Sequence, residues 1–134
     1  MAKTITQKVV FKNTPVSTLY SMYLDSKHHT AINGGAKASI SAKEGAKYSA
    51  GNKYITGRNL QLIKNKLISQ SWRASDWDDT DTDSTFIMLF EQNGKDAVIN
   101  MTHANIPDKH VAGIKSGWTS YYWEPWKKYL KTKK

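Results

Sequence analysis

Residues 111–130, VAGIKSGWTSYYWEPWKKYL, decide the architecture of this chain. Large apolar side chains recur in this stretch at spacings of three and four, which is the periodicity of one face of an α-helix. The predicted face consists of Val111, Ile114, Trp118, Tyr121, Tyr122 and Tyr129, widened by Trp123, Trp126 and Leu130. A helix with so aromatic a face must be covered, so the rest of the chain has to supply the covering surface.

The two ends of this helix are predicted from its capping and breaking residues. Asp108 is a suitable cap for the start of the helix. Pro125 lacks a backbone N–H, so we expect it to kink the helix or to separate its last turns. Gly117 is interpreted as a point where the helix approaches its covering surface closely. Residues 131–134, KTKK, are expected to form a disordered tail.

The chain before this helix predicts one strand, two helices and then a run of strands. Thr4–Phe11 alternates between apolar and polar residues, as a strand does. Thr14-Pro15 marks the start of an amphipathic helix that ends near Asp25, and Ser26 caps a second, short one that ends at Asn33-Gly34-Gly35. Six further strands are predicted at Lys37–Ser41, Ala46–Ala50, Tyr54–Ile63, Lys66–Ala74, Ser84–Gln92 and Asp96–Ala104. One antiparallel sheet packed on one aromatic helix is a two-layer α+β domain, and a curved sheet leaves a cavity beside the helix.

Length and composition limit the classes of protein that fit. The 134 residues suit one domain, 1–134, and the absence of cysteine excludes disulfides and indicates a cytoplasmic protein. No apolar run is long enough to cross a membrane, and no signal peptide is predicted. The net charge is +9, and Arg58 and Arg73 are the only arginines among the 20 basic residues. Lysine acts as a long-range point charge, so this balance favours an acidic partner over specific nucleic-acid recognition. A merely solubilising surface is the alternative.

The residues that could carry chemistry form no recognisable catalytic or metal-binding motif. His28, His29, His103 and His110 do not stand at the spacing of metal ligands, so no metal site is predicted. Asp79, Asp81 and Asp83 imitate part of a calcium loop, but Ser84 replaces the required glycine and Phe90 the closing glutamate. We therefore interpret residues 76–83 as a solvated connection. No catalytic residue or cofactor is predicted, and nucleic-acid binding by the aromatic helix and its lysines is a minor alternative.

Several local strings, in this order of elements, resemble the family of activators of the heat-shock protein 90 ATPase, which belongs to the START-like superfamily. The strings are residues 54–60 (YITGRNL), residues 68–73 (ISQSWR) followed by Trp77, Thr102-His103 leading to Ile106-Pro107, and Gly117-Trp118 leading to Tyr121-Tyr122-Trp123. The resemblance covers Ile5 to Leu130 and implies a helix-grip fold, β-α-α-β6-α, in which a curved antiparallel sheet wraps round the C-terminal helix. Ala46, where a second glycine is frequent, and Pro125 depart from the family pattern.

The resemblance implies a binding protein and leaves three hypotheses about what it binds. The chain resembles the C-terminal domain of eukaryotic co-chaperones, which implies a chaperone regulator with a heat-shock protein 90 homologue as its partner. Wider relatives bind small hydrophobic ligands, which implies a carrier or sensor. A cavity enzyme is the third hypothesis, and His103 is its first candidate because histidine titrates near neutral pH. The predicted cavity residues are Trp72, Phe86, Met88, Met101, His103, Trp118 and Tyr122.

Overall fold

The computed structural model describes residues 2–132, apart from the side chain of Thr132. The strands are β1 (Ala2–Phe11), β2 (Lys47–Ala50), β3 (Ile55–Ile63), β4 (Leu67–Ala74), β5 (Ser84–Asn93) and β6 (Asp96–Pro107). The helices are α1 (Val16–Leu24), α2 (Ser26–Ile32), α3 (Val111–Trp118) and α4 (Glu124–Thr132). A 3₁₀ turn, Asp108–His110, precedes α3, and a π-helical turn, Thr119–Trp123, joins α3 to α4.

The six strands form one antiparallel sheet in the order β1-β6-β5-β4-β3-β2. The first strand pairs with the last one, and the others follow one another in a meander whose longest connection is residues 75–83, between β4 and β5. The inner face of the sheet and the C-terminal helix share one core, which contains residues from β1, β4, β5, β6, α1 and the helix. The predicted α+β helix-grip fold is therefore confirmed.

One predicted strand is absent. Residues 37–41 contribute only an isolated bridge, from Ser39 to Ser49, so five strands follow α2 instead of six. Side chains satisfy the backbone of this segment instead of a strand ladder. Thr30 Oγ1 accepts the N–H of Ala38 at 2.9 Å, Ser26 Oγ accepts the N–H of Ile40 at 2.9 Å, and Asn59 Nδ2 donates to the carbonyl of Ser41 at 2.8 Å.

A buried chain of hydrogen bonds holds this loop against the sheet. The Tyr23 hydroxyl on α1 donates to Gln70 Oε1 at 2.8 Å, and Gln70 Nε2 donates to Asn59 Oδ1 at 2.7 Å. Asn59 Nδ2 then donates to the carbonyls of Ser41 and Lys43. Gln70 and Asn59 are buried, so each amide needs these partners to offset its lost hydration.

Gly57 is required by a close approach of two strands. A β-bulge does occur in β3, but it lies between Asn59 and Gln61. A Cβ on Gly57 would lie 2.0 Å from the Ser71 carbonyl oxygen and 2.8 Å from the ring of Tyr48. The Tyr48 hydroxyl donates to that same carbonyl at 2.7 Å, so the tyrosine crosses the glycine to reach it.

The C-terminal helix is interrupted just before Pro125. In the π-helical turn the N–H of Glu124 donates to the carbonyl of Thr119, five residues earlier. This wider turn relieves the clash between a proline ring and the carbonyl of the preceding turn. The expected irregularity is thus present, one turn earlier than predicted. The helix continues through Lys131 and Thr132, which we expected in the disordered tail, and residues 133–134 lie outside the described residues.

We predict that Gly57→Ala destabilises the protein by about 3 kcal/mol or more, because the added methyl group meets backbone atoms that cannot move independently. The control is Gly113→Ala in α3, where an added Cβ has no neighbour within 4 Å. That change should stabilise by about 0.5–1 kcal/mol through helix propensity. Urea unfolding of both variants measures the effects, and equal stabilities for the two would contradict the close-approach explanation.

Candidate functional site

The π-helical turn determines which aromatic side chains of the C-terminal helix are buried. Trp118, Tyr122, Trp123 and Trp126 all face the core, whereas Tyr121 is exposed. The sequence pattern placed Tyr121 on the buried face, and this prediction was wrong because the wider turn rotates the helix after Thr119. The Trp118 and Trp123 rings stack with centroids 5.4 Å apart. The middle of the helix–sheet layer is consequently filled by side chains.

His103 links the helix to three strands through a complete set of hydrogen bonds. The Trp118 indole N–H donates to His103 Nδ1 at 3.0 Å. Because Nδ1 accepts, the ring proton is on Nε2, which donates to Ser84 Oγ at 2.7 Å. The Ser84 hydroxyl in turn donates to the carbonyl of Trp72 at 2.7 Å. Each of these groups is satisfied only when the imidazole is neutral.

The environment of His103 is that of a structural residue. The side chain has 0% exposure, and burial lowers its pKa from 6.5 to about 3. Both ring nitrogens are occupied by protein partners, so neither can exchange a proton with a bound molecule. This geometry gives no support to the hypothesis that His103 is an acid or base of an enzyme.

The depressed pKa of His103 makes stability depend on pH. Between about pH 6.5 and pH 3 the unfolded chain binds a proton at this residue and the folded chain does not, so stability falls as the pH falls through this window. We predict that the loss from this residue in urea unfolding approaches about 1.4 kcal/mol per pH unit below about pH 5.5, where the unfolded histidine is almost fully protonated. His29, whose pKa burial also lowers, adds to the slope.

The control for this prediction is His103→Gln, in which the amide can still donate and accept but does not titrate. Its stability should be lower at pH 7 and should depend less steeply on pH than that of the unmodified protein. An unchanged pH slope in the variant would contradict the assignment of the slope to His103.

A cavity of about 550 Å³ remains at one end of the helix–sheet layer. Its walls come from the ends of β3 and β4, the start of the acidic connection and the exposed side of α3. The lining residues are Asn33, Ala36, Gly51, Tyr54, Ile55, Trp72, Asp76, Trp77, Lys109, His110, Gly113, Ile114, Gly117, Trp118, Tyr121 and Tyr122. A larger cleft of about 1080 Å³ follows α4, but lysines line it and it is more open, so the smaller cavity is the better candidate for an enclosed site.

The structure brings only part of the predicted cavity set together. Trp72, Trp118 and Tyr122 line the cavity. The other four predicted residues do face inward, as strand alternation indicated, but they are packed in the filled core and are not among the lining residues: Phe86, Met88, Met101 and His103. Alternation gives the face on which a side chain lies and does not show whether the space beside it is filled.

Sequence reasoning missed the two glycines in the cavity wall. Gly113 and Gly117 are four residues apart, so they lie on one face of α3. An added Cβ would meet nothing within 4 Å at Gly113 and only the Tyr121 ring, at 3.7 Å, at Gly117. The interpretation of Gly117 as a close contact with the sheet was therefore wrong. The i, i+4 spacing was the signal that could have indicated an open wall.

Three residues of the cavity wall have a buried polar atom that has no partner among the described residues. These atoms are Asn33 Oδ1, Trp77 Nε1 and His110 Nε2. The rings of Trp77 and His110 stack with centroids 5.7 Å apart. Tyr122 is different, because its hydroxyl donates to His29 Nε2 at 3.0 Å, and burial raises its pKa to about 12. The wall is therefore mainly aromatic, and these unpaired polar atoms are buried behind it, with almost no surface facing the cavity.

The side chain of Arg73 organises the acidic connection, residues 76–83. Arg73 donates to the carbonyls of Asp78 and Asp81, both at 2.6 Å, and its guanidinium lies 3.2 Å from an oxygen of Asp83. Lys109 pairs with Asp78 at 2.9 Å, and this contact lowers the pKa of the carboxyl. Within residues 2–132 no group of three or more His, Asp or Glu side chains is arranged to hold a metal ion.

The fold and this cavity define a helix-grip protein of the START-like class. A sequence model of the family described as "Activator of Hsp90 ATPase homolog 1-like protein" matches residues 13–131, so the chain belongs to this family. No helix among the described residues is long and apolar enough to cross a membrane.

Individual relatives agree with this assignment. The mouse activator of 90 kDa heat shock protein ATPase homolog 1 is 26% identical over 120 residues, which are 90% of this chain and 35% of the mouse protein. The chain thus spans about a third of that relative. An HSP90 activator from Plasmodium falciparum is 25% identical, with a TM-score of 0.84 over 98% of this chain and 96% of the other. A Mesorhizobium loti protein, 14% identical with a TM-score of 0.85 over 98% and 99% of the two chains, shares the fold.

Proposed function

We propose that this protein is a non-enzymatic binding domain whose partner is a homologue of heat-shock protein 90. The observation that carries the proposal is the similarity to the Plasmodium falciparum HSP90 activator over nearly the whole of both chains. This chain therefore matches nearly the full length of a chain that is described as an HSP90 activator. The mouse relative is much longer, so its complete activity does not transfer with the matched segment.

The charge distribution supports an acidic partner. The net charge is +9, and several carboxylates are already compensated within the chain. Asp78, Asp83 and Asp96 pair with Lys109, Arg73 and Lys12. Most of the remaining lysines are exposed, so their positive charges contribute to the electrostatic field around the protein. Such a field accelerates association with an acidic surface and weakens as salt screens it.

The direct test is a titration of isotope-labelled protein with the host's heat-shock protein 90 homologue, followed by NMR and calorimetry. Ionic strengths of about 0.01 M and 0.15 M correspond to Debye lengths of about 30 and 8 Å. We predict binding at both, weaker by about tenfold or more at the higher ionic strength, with a parallel change in the chaperone's ATPase rate. Absence of binding at both ionic strengths would refute the proposed function.

The cavity supports a second candidate function, the binding of a small, mainly apolar molecule. Its volume of about 550 Å³ lies in the range of ligand sites, about 300–1,000 Å³. Trp72, Trp77 and Tyr122 provide apolar contact surface, and the bare wall at Gly113 and Gly117 leaves room for a flat group.

Substitution of one wall glycine tests this candidate. Gly117→Leu should fill the cavity from the helix side and reduce saturable binding of the fluorescent probe 1-anilinonaphthalene-8-sulfonate at least tenfold. The matched control, Gly117→Ala, occupies little of the cavity and should retain binding while stabilising the helix by about 0.5–1 kcal/mol. Probe binding that is the same in Gly117→Leu and in the unmodified protein would exclude this cavity as its site.

A further inference from the structure

The convex, outer face of the sheet carries an apolar patch formed by Ile63, Leu67, Ile87 and Leu89. Ile63 on β3 pairs with Leu67 on β4, and Leu67 pairs with Leu89 on β5. These three side chains form a continuous row across three strands, because directly opposed side chains lie about 5 Å apart. Ile87 lies on the same face as Leu89, one pleat along β5. We call these four residues the convex patch.

The convex patch is exposed and differs from its surroundings. The exposed fractions are 43% for Ile63, 39% for Ile87 and 47% for Leu89, and Leu67 is half-buried. The core does not need these side chains, since the opposite face of the same strands carries Ile68, Phe86 and Met88. Outer faces of antiparallel sheets that contact water are usually polar. Several neighbouring outward positions follow that rule: Asn100 lies in the row of Leu89, and Gln61, Ser69, Thr102 and Thr6 lie in the row of Ile87. The row of Glu91, on the other side of Leu89, is different, because it contains Val98 and Val10.

Lysines border the convex patch. Lys64 and Lys66 lie in the turn between β3 and β4, and Lys8 lies opposite Asn100, at the end of the row that contains Leu89. All three are exposed, and none forms an ion pair within residues 2–132. Two carboxylates lie close to this area: Glu91 is two residues beyond Leu89, and Glu44 accepts the N–H of Leu62, the neighbour of Ile63, at 2.9 Å. The border is therefore predominantly positive.

This charge distinguishes between the two kinds of occupant that an apolar patch could have. A second copy of the chain would place one lysine border against another, and each copy carries a net charge of +9. Like charges opposed across an interface cost several kcal/mol. A partner with acidic side chains around an apolar centre would match both features of the patch. Charge complementarity therefore favours a different, acidic protein.

We propose that the convex patch is the docking surface for an acidic protein partner, with Ile63, Ile87 and Leu89 as apolar anchors and Lys8, Lys64 and Lys66 as the steering border. The inference rests on the proposed function, since the chaperone homologue is the partner to which it is applied. Interfaces typically combine an apolar centre, which limits dissociation, with a charged rim, which accelerates association. The proposed site is separate from the cavity, which lies on the concave side of the sheet.

The anchors are tested by removing apolar surface while keeping side chains that suit a strand. Ile63→Thr/Ile87→Thr/Leu89→Thr should bind the chaperone homologue at least thirtyfold more weakly, and Leu89→Thr alone about fivefold more weakly. The matched control is Leu60→Thr, because Leu60 is 50% exposed but lies at the bulge of β3, opposite no residue of β4. This control should change the affinity less than twofold. Thermal unfolding and the NMR spectrum of each variant establish that it is folded.

The border is tested with two double charge reversals that change the net charge equally. Lys64→Glu/Lys66→Glu should lower the association rate at least fivefold and reduce its dependence on salt. Lys128→Glu/Lys131→Glu on α4 serves as the control and should have an effect less than half as large on a logarithmic scale. Equal effects of the two pairs would show that only the net charge matters and would overturn the assigned border.

The outcomes separate this inference from the proposed function. If the unmodified protein does not bind the chaperone homologue, the proposed function fails before the variants are compared. If it binds, and the triple threonine variant is folded and binds equally well, the docking surface is refuted while the function stands. If the unmodified protein forms dimers that the triple variant does not form, the occupant is a second copy, and the acidic partner is refuted.

Discussion

The hydrogen bond from the Trp118 indole to His103 Nδ1 is the constraint on which the helix–sheet arrangement depends. Through His103 Nε2 the bond continues to Ser84 and then to the backbone of β4. A polar group in this position cannot recover its hydration, so displacement of the helix would leave an indole N–H and an imidazole unpaired in the core. The hydrogen bond therefore fixes both the rotation of the helix and its position on the sheet at Trp118, more tightly than apolar packing alone would fix them.

The position of the open space follows from that constraint. With Trp118 fixed, the π-helical turn directs both Tyr122 and Trp123 inward, and these rings fill the centre of the concave face. The side of α3 that precedes Trp118 presents Gly113 and Gly117 instead of large side chains. One half of the helix thus completes the core, and the other half leaves a cavity. Pro125 has a part in this division, because it favours the wider turn before it.

The two faces of the sheet offer different kinds of interaction. The concave face leads to an aromatic cavity, and the convex face presents an apolar row bordered by lysines. A fold of this type can support binding of a small molecule or of a protein, because the cavity lies at one end of the core and the convex patch lies outside the core. For this chain, the family membership and the positive charge favour the protein partner.

The sequence by itself determined the fold class, the order of the elements apart from one predicted strand, and the face of most side chains. Helical periodicity in residues 111–130 and the turn signals between the strands depend on local chemistry, which a single sequence contains. Tertiary structure decided the rest. Residues 37–41 have a strand-like pattern but find side-chain partners instead of a ladder, and Tyr121 turns outward because a π-helical turn changes the helical phase. Met88 and Met101 face inward as predicted but do not line the cavity of the candidate site, and Ile63, Leu67 and Leu89 form one row only because strand register aligns them. Register, filled volume and helix rotation depend on residues far apart in the chain, so no local pattern can determine them.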